Sequence, residues 1–295
     1  MRSGFVPVVG RPNVGKSTLV NALVGEKVSI VSTRPQTTRN RIRGIINGAD
    51  HQIVLIDTPG LHKPRTELGH RLNAGVYRTL GEADAVLFVI DATQAIGPGD
   101  RMVAARLKDT HAEVVVAINK VDAASRIQVT EQLAEAGAWD FAAYLPVAAK
   151  TSLGLPPLLD ELVKRMPEGP SYFPLGEASD LPEHVLVGEL IREKFLDRLR
   201  DELPHSLIVV VDDMQTEESG MLIITARAVV ERDSQKGIVI GKGGVMLATA
   251  GTEARHELEA LFGVKVHLDL RVVVEEEWQR RPDLLDRFGF SDSDG

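Results

Sequence analysis

Gly10-Arg11-Pro12-Asn13-Val14-Gly15-Lys16-Ser17 follows the apolar run 5–9 and opens a helix-patterned stretch at 16–24. The pattern G-x-x-x-x-G-K-S in a strand–loop–helix context is a phosphate loop. Its glycines let successive backbone N–H groups face a phosphate chain, and the helix N-terminus adds positive potential. Lys16 would neutralise phosphate oxygens, the Ser17 hydroxyl would ligate Mg²⁺, and Thr18 completes the nucleotide-binding run. A plain glycine turn with a surface lysine is the bland alternative. It explains neither the preceding strand nor the following helix.

Working outward, apolar runs at 42–46, 52–56, 85–90, 114–118 and 144–147 alternate with helical patterns near 68–82, 100–108, 127–135 and 155–165. Strands rich in Val and Ile on both faces predict a mostly parallel six-stranded α/β sheet covered by helices on both sides. Asn47-Gly48-Ala49-Asp50 reads as a hairpin turn, which makes one edge strand antiparallel.

The run 166–183, MPEGPSYFPLGEASDLPE, is dense in Pro, Gly and acid and cannot hold a long helix or a central strand. The predicted division is a first domain at 1–166, a linker at 167–183, a second domain at 184–290 and a frayed tail at 291–295. The second half is expected to run helix 184–202 stopped by Pro204, strand 207–211, strand 221–231, a short helix to 240, helix 245–261, strand 264–274 and a charged helix 275–288.

A chain of 295 residues suits two domains. Hydrophobic content of 43% with 26% charged residues excludes a disordered chain, and no apolar run is long enough to cross a bilayer. The absence of cysteine excludes disulfides and thiol catalysis and suits a reducing cytoplasm. A net charge of −8 argues against blanket nucleic-acid binding but leaves room for a local RNA groove.

Two further constellations follow strands. Asp57-Thr58-Pro59-Gly60 is nearly uninformative alone, but its place one hairpin after the phosphate loop gives it weight. Asp57 would hold Mg²⁺ through water, and the Gly60 N–H would sense the γ-phosphate. Asn119-Lys120-Val121-Asp122 ends the run 114–118, where open α/β sheets bind ligands. The Asp122 carboxylate can accept from the N1–H and amino group of guanine, a pair that adenine lacks. Asn119 would tie loops together and the Lys120 stem would cover the base. Ala148-Ala149-Lys150 could offer backbone N–H to the guanine carbonyl. Thr38, in the loop after the first helix, is the choice for the switch threonine closing on Mg²⁺, with Thr37 the alternative. Lys16, Thr38 and Gly60 are the expected catalytic set.

In the second half Ile240-Gly241-Lys242-Gly243-Gly244 lies between two helical segments. In a KH module such a loop clamps the backbone of about four nucleotides. A glycine-rich helix cap is the alternative reading. Arg192, Lys194, Arg198 and Lys265 could face that groove or form a solvated surface.

Phosphate loop, D-x-x-G and N-K-x-D in this order resemble the Ras-like GTPase superfamily. Over nearly its whole length the chain resembles the Era family, GTPases with a C-terminal type II KH domain. The residues carrying this are 10–17 (GRPNVGKS), 34–41 (RPQTTRNR), 57–64 (DTPGLHKP), 119–122 (NKVD) and 238–244 (IVIGKGG). The resemblance implies GTP and GDP as ligands with Mg²⁺, binding to the 3′ end of 16S ribosomal RNA, and a role in maturing the 30S subunit. It also implies a cytoplasmic monomer with peripheral membrane contact in some settings. In related cation-dependent GTPases the asparagine matching Asn13 helps hold K⁺. Ala148 stands where the family often has serine, and Leu61 stands where Ras-like enzymes carry the water-orienting glutamine, which implies slow intrinsic hydrolysis. His62 reads as a solvated histidine before a base. The competing functions are a GTPase whose second domain binds protein or membrane, and an ATPase, which Asp122 opposes.

Overall fold

The computed structural model describes residues 1–32, 39, 42–60, 66–200 and 203–290. The chain divides into two compact units, with the main break between Asp180 and Leu181.

The first unit runs β1 (Arg2–Val9), α1 (Lys16–Val24), β2 (Ile42–Asn47), β3 (His51–Asp57), α2 (Glu67–Gly81), β4 (Ala85–Asp91), α3 (Pro98–Leu107), β5 (Glu113–Asn119), α4 (Arg126–Gly137), β6 (Ala143–Pro146) and α5 (Leu155–Arg165). Its sheet has the order β2-β3-β1-β4-β5-β6. Only β2 is antiparallel, joined to β3 by the expected hairpin. All seven residues of β4 are buried, which is why the strands read as continuous apolar runs: both faces are covered. The order reverses at β1 and β4, and the loop after β1 opens at that switch point.

The Pro-rich run forms neither long helix nor central strand, yet up to Asp180 it is pinned to the first unit. The Ser3 N–H donates to Pro167 O at 3.0 Å and the Ile45 N–H to Ala178 O at 2.8 Å. The buried Gln52 amide clasps its backbone, accepting from the N–H groups of Tyr172 (2.7 Å) and Phe173 (3.0 Å) and donating to Phe173 O (3.0 Å). This segment covers the free edge of β2, an edge that would otherwise expose unpaired backbone.

The second unit runs α6 (Glu183–Leu196), α7 (Leu203–Ser206), β7 (Ile208–Thr216), β8 (Leu222–Val230), α8 (Asp233–Ile240), α9 (Val245–Phe262), β9 (Val266–Val274) and α10 (Pro282–Arg287). β8 is central, antiparallel to β7 and parallel to β9. The expected element order holds, with three corrections. The helix expected to reach 202 ends at Leu196, and a separate turn starts at Leu203, where Pro204 takes a first-turn position that a helix tolerates. β7 runs on to Thr216 past a bulge between Val211 and Asp213; its Asp-rich end looks like loop because those residues favour turns. The helix expected at 275–288 is instead a single turn at Trp278–Arg280 followed by α10, which Pro282 starts. Trp278 is fully buried, its Nε1–H donating to Ser206 O at 2.9 Å, and that docking sets the break.

Candidate functional site

The loop after β1 is shaped by side chains it cannot hold. A Cβ at Gly10 would lie 2.4 Å from Val89 O, and one at Gly15 would lie 2.4 Å from Asn119 Nδ2. Both glycines sit at positive φ (151° and 95°), a second reason for glycine there. Lys16, the first residue of α1, is buried and folds back so that Nζ donates to Gly10 O (3.2 Å) and Arg11 O (3.0 Å). Burial lowers its pKa from 10.5 to about 8, with the charge of Asp57 acting in the opposite sense. Val14 is buried, while Ser17 and Thr18 are half-buried in the first turn of α1. The Arg11 guanidinium is committed to the buried carboxylate of Asp100 at the start of α3 (2.7 Å), so this residue enters the loop through its backbone.

At the end of β3 the buried Asp57 accepts from the Ser29 hydroxyl at 2.7 Å. Asn21 of α1 holds Ser29 in turn, accepting from the N–H groups of Val28 (3.0 Å) and Ser29 (2.9 Å) and donating to Ser29 O (2.7 Å). Thr58 Oγ1 donates to Val8 O at 2.7 Å, and Gly60 lies against Pro12. Asn21, Ser29 and Asp100 carry no short-motif signal, and reading the sequence missed them. Thr37, Thr38, Leu61 and His62 lie outside the described residues.

The third loop closes the site. Asn119, at the end of β5 and 2% exposed, donates from Nδ2 to Val14 O (2.9 Å) and accepts from the Ala149 N–H (3.0 Å). One side chain therefore ties the phosphate loop to the loop after β6. Lys120 Nζ donates to Asn13 O (2.7 Å) and to Asp91 Oδ2 (2.6 Å). Asp122 is exposed, as is Lys150. The N–H of Ala148 goes to Leu153 O (2.9 Å) and that of Ala149 to Asn119, which leaves the Lys150 N–H uncommitted in this turn. Asn119 and Lys120 thus wire N-K-x-D to the phosphate loop and to the loop after β6, while D-x-x-G meets β1 and the phosphate loop separately, through Thr58 on Val8 O and Gly60 against Pro12. Among the described residues no cluster of three His, Asp or Glu could hold a metal alone. A hydroxyl and one carboxylate suit a hard cation that keeps waters and takes phosphate oxygens.

In the second unit α8 ends at Ile240 and the loop Gly241 to Gly244 leads into α9. A Cβ on Gly241 would meet Met246 Cβ at 2.7 Å, whereas nothing lies within 4 Å of one on Gly243, despite its φ of 63°. Beside the loop is an open cleft of about 530 Å³ lined by Arg198, Gly241, Lys242, Val245, Met246 and Thr249. Val245 is 66% exposed, so the cleft offers an apolar wall beside a cation. Of the four basic residues proposed for this groove, Arg198 lines it. Arg192 does not: it is fully buried and paired with Glu189 at 2.8 Å, because it falls on the core face of α6. Lys194 is engaged by Glu193 and Glu257, and the exposed Lys265 lies 3.8 Å from Glu259.

Among the described residues no helix is long and apolar enough to cross a membrane. A family model described as a 50S ribosome-binding GTPase matches residues 5–120, and one described as a KH domain matches 202–279. GTPase Era of Heliobacterium modesticaldum is 44% identical, covering 99% of this chain and 98% of its own. GTPase Era of Mycobacterium bovis is 51% identical, covering 98% of each. The crystal structure of Era in complex with MgGDPNP and nucleotides 1506–1542 of 16S ribosomal RNA superposes with a TM-score of 0.94 at 37% identity, covering 99% of both chains.

Proposed function

The chain belongs to the GTPase Era family and is a GTP hydrolase; from that premise we propose that it is a GTP-driven switch that binds the 3′ end region of 16S ribosomal RNA and acts in assembling the 30S subunit. The observation that carries this is the pair of sites: phosphate loop, N-K-x-D and the loop after β6 joined through Asn119 in one unit, with D-x-x-G against the phosphate loop at Pro12, and a glycine loop beside an apolar cleft in the other. Working boundaries are 1–166 for the GTPase domain, 167–183 for a linker whose part up to Asp180 packs on that domain, and 184–290 for the KH domain.

In this reading the backbone from Gly10 to Thr18 and the Lys16 ammonium bind the phosphates, and Gly60 senses the γ-phosphate. Ser17, Thr38 and Asp57 would hold Mg²⁺, which supplies charge neutralisation at the phosphate oxygens. Asp122 selects guanine, the Lys120 stem covers the base and the Ala148-Ala149-Lys150 turn faces its carbonyl. Asn13 contributes to a K⁺ site. Ile240 to Gly244 clamps RNA backbone, and Val245 and Met246 offer apolar surface to a base. The protein acts as a cytoplasmic monomer with the 30S subunit as partner.

The test is twofold. GDP should displace a fluorescent guanine nucleotide where ADP does not. A 16S 3′-end oligonucleotide should bind with an affinity that differs between the GTP-analogue and GDP forms. Equal displacement by ADP refutes the base assignment, and failure of the parent protein to bind the oligonucleotide refutes the RNA assignment.

A further inference from the structure

Asp91 ends β4 and is the register partner of Asn119 on β5, so the parallel pairing sets a carboxylate beside the base loop that no sequence motif marks. It is 3% exposed. One oxygen accepts from the N–H (2.9 Å) and hydroxyl (2.6 Å) of Thr93, and the other accepts from Lys120 Nζ at 2.6 Å. Burial works to raise its pKa, but the bonds from Lys120 and Thr93 outweigh that and hold the carboxyl below its usual range. Lys120 has a left-handed backbone (φ 67°), which is uncommon for a long side chain. Its ammonium is divided between Asp91 and Asn13 O (2.7 Å) of the phosphate loop.

We propose that Asp91 is a positioning residue for nucleotide binding: through the Lys120 ammonium it fixes the stem that covers the base and joins base loop to phosphate loop. This rests on the reading that Asn119 to Asp122 holds guanine. Asp91 touches no part of the nucleotide in this account; it acts only through Lys120. A cation shared between a buried carboxylate and a carbonyl is held in one rotamer. Without the carboxylate, a lysine 35% exposed has solvent as the competing partner. Because the stem lies on the face of the base and not at its edge, the effect should not depend on which groups the edge carries.

The experiment uses the full-length protein and fluorescence titration with GDP, with IDP (which lacks the 2-amino group) and with ADP. Asp91→Asn should weaken GDP and IDP by the same factor, about tenfold, while kcat at saturating GTP stays within about twofold. In a Lys120→Met background, which keeps the stem and removes the ammonium, Asp91→Asn should add nothing. Thr93→Val removes one bond to the other oxygen and should cost about two- to threefold, which keeps the test available if Asp91→Asn folds poorly. Unchanged GDP affinity in both Asp91→Asn and Thr93→Val overturns the proposal, as does a full loss persisting in the Lys120→Met background. Equal binding of ADP and GDP by the parent protein would instead overturn the reading on which the proposal rests.

Discussion

Asn119 and Asp122 belong to the same four-residue motif, yet the structure gives them opposite energetic roles. Replacing Asn119 by alanine removes the partner of Val14 O and of the Ala149 N–H, at residues 1% and 6% exposed. A buried polar group left without a partner costs about 1–3 kcal/mol, so two cost about 2–5 kcal/mol after partial relaxation. For a unit of this size each kcal/mol moves the melting temperature by roughly 2–4 °C, which gives a drop of roughly 4–20 °C. Asp122 is exposed, and Asp122→Ala should stay within about 0.5 kcal/mol of the parent. Binding should separate them in the other direction: Asp122→Ala loses guanine selectivity while keeping its stability. Circular-dichroism melts without nucleotide, paired with GDP titrations, read both quantities. An Asn119→Ala protein that melts within a degree or two of the parent refutes the bridging role, and an Asp122→Ala protein that melts far lower refutes the solvated carboxylate.

Three other outcomes are expected. Lys16 is lowered to about 8 when empty, so docking phosphates should restore its charge and take up about half a proton at pH 8; affinity then falls as pH rises above 8, and the empty form gains stability between about 8 and 10.5, where the unfolded chain binds more protons. Calorimetry in buffers of different ionisation enthalpy checks this, and a proton count unchanged between pH 7 and 8.5 contradicts it. Hydrolysis should run faster in KCl than in NaCl, with the difference lost in Asn13→Ala; identical rates in the two salts would remove Asn13 from any cation site. Gly243→Asp should cut affinity for the 16S 3′ end at least tenfold while GDP binding stays near the parent; the new side chain meets open space, but the left-handed φ of 63° should cost about 1 kcal/mol and lower the melting temperature by a few degrees. Lys242→Ala should cost less and flatten the salt slope by about one.

The motifs of the candidate nucleotide site were legible because each is local in sequence. A phosphate loop must lie within a few residues of its strand and helix, so Gly10 to Ser17 announces itself, and the all-buried β4 announces a covered parallel sheet. What was not legible is non-local. Asp91 and Lys120 are 29 positions apart, and Ser29 and Asp57 28 apart; only strand register and loop packing bring each pair together. Arg192 misled for a related reason: its charge suggests a surface, but its position on α6 aims it at the core, where Glu189 one turn back compensates it. In the second unit the ends of elements failed where proline or a buried aromatic overrode periodicity, as at Pro204, Pro282 and Trp278.

The two sites share a backbone device and differ in what surrounds it. A left-handed glycine leads into a helix at both, Gly15 before α1 and Gly244 before α9. At the first, Asn119 packs against that glycine, Lys16 is buried and Asp91, Asn21 and Asp100 hold the flanking loops. An anion there meets groups already fixed and partly desolvated, so binding can be tight and chemically selective. At the second, Lys242 and Gly243 are exposed and the cleft is open, with an apolar wall at Val245. An anion there would stay largely hydrated, with its attraction screened by salt. The same chain therefore couples a site suited to holding one small ligand firmly with a site suited to a polymer whose grip is summed over several weak contacts.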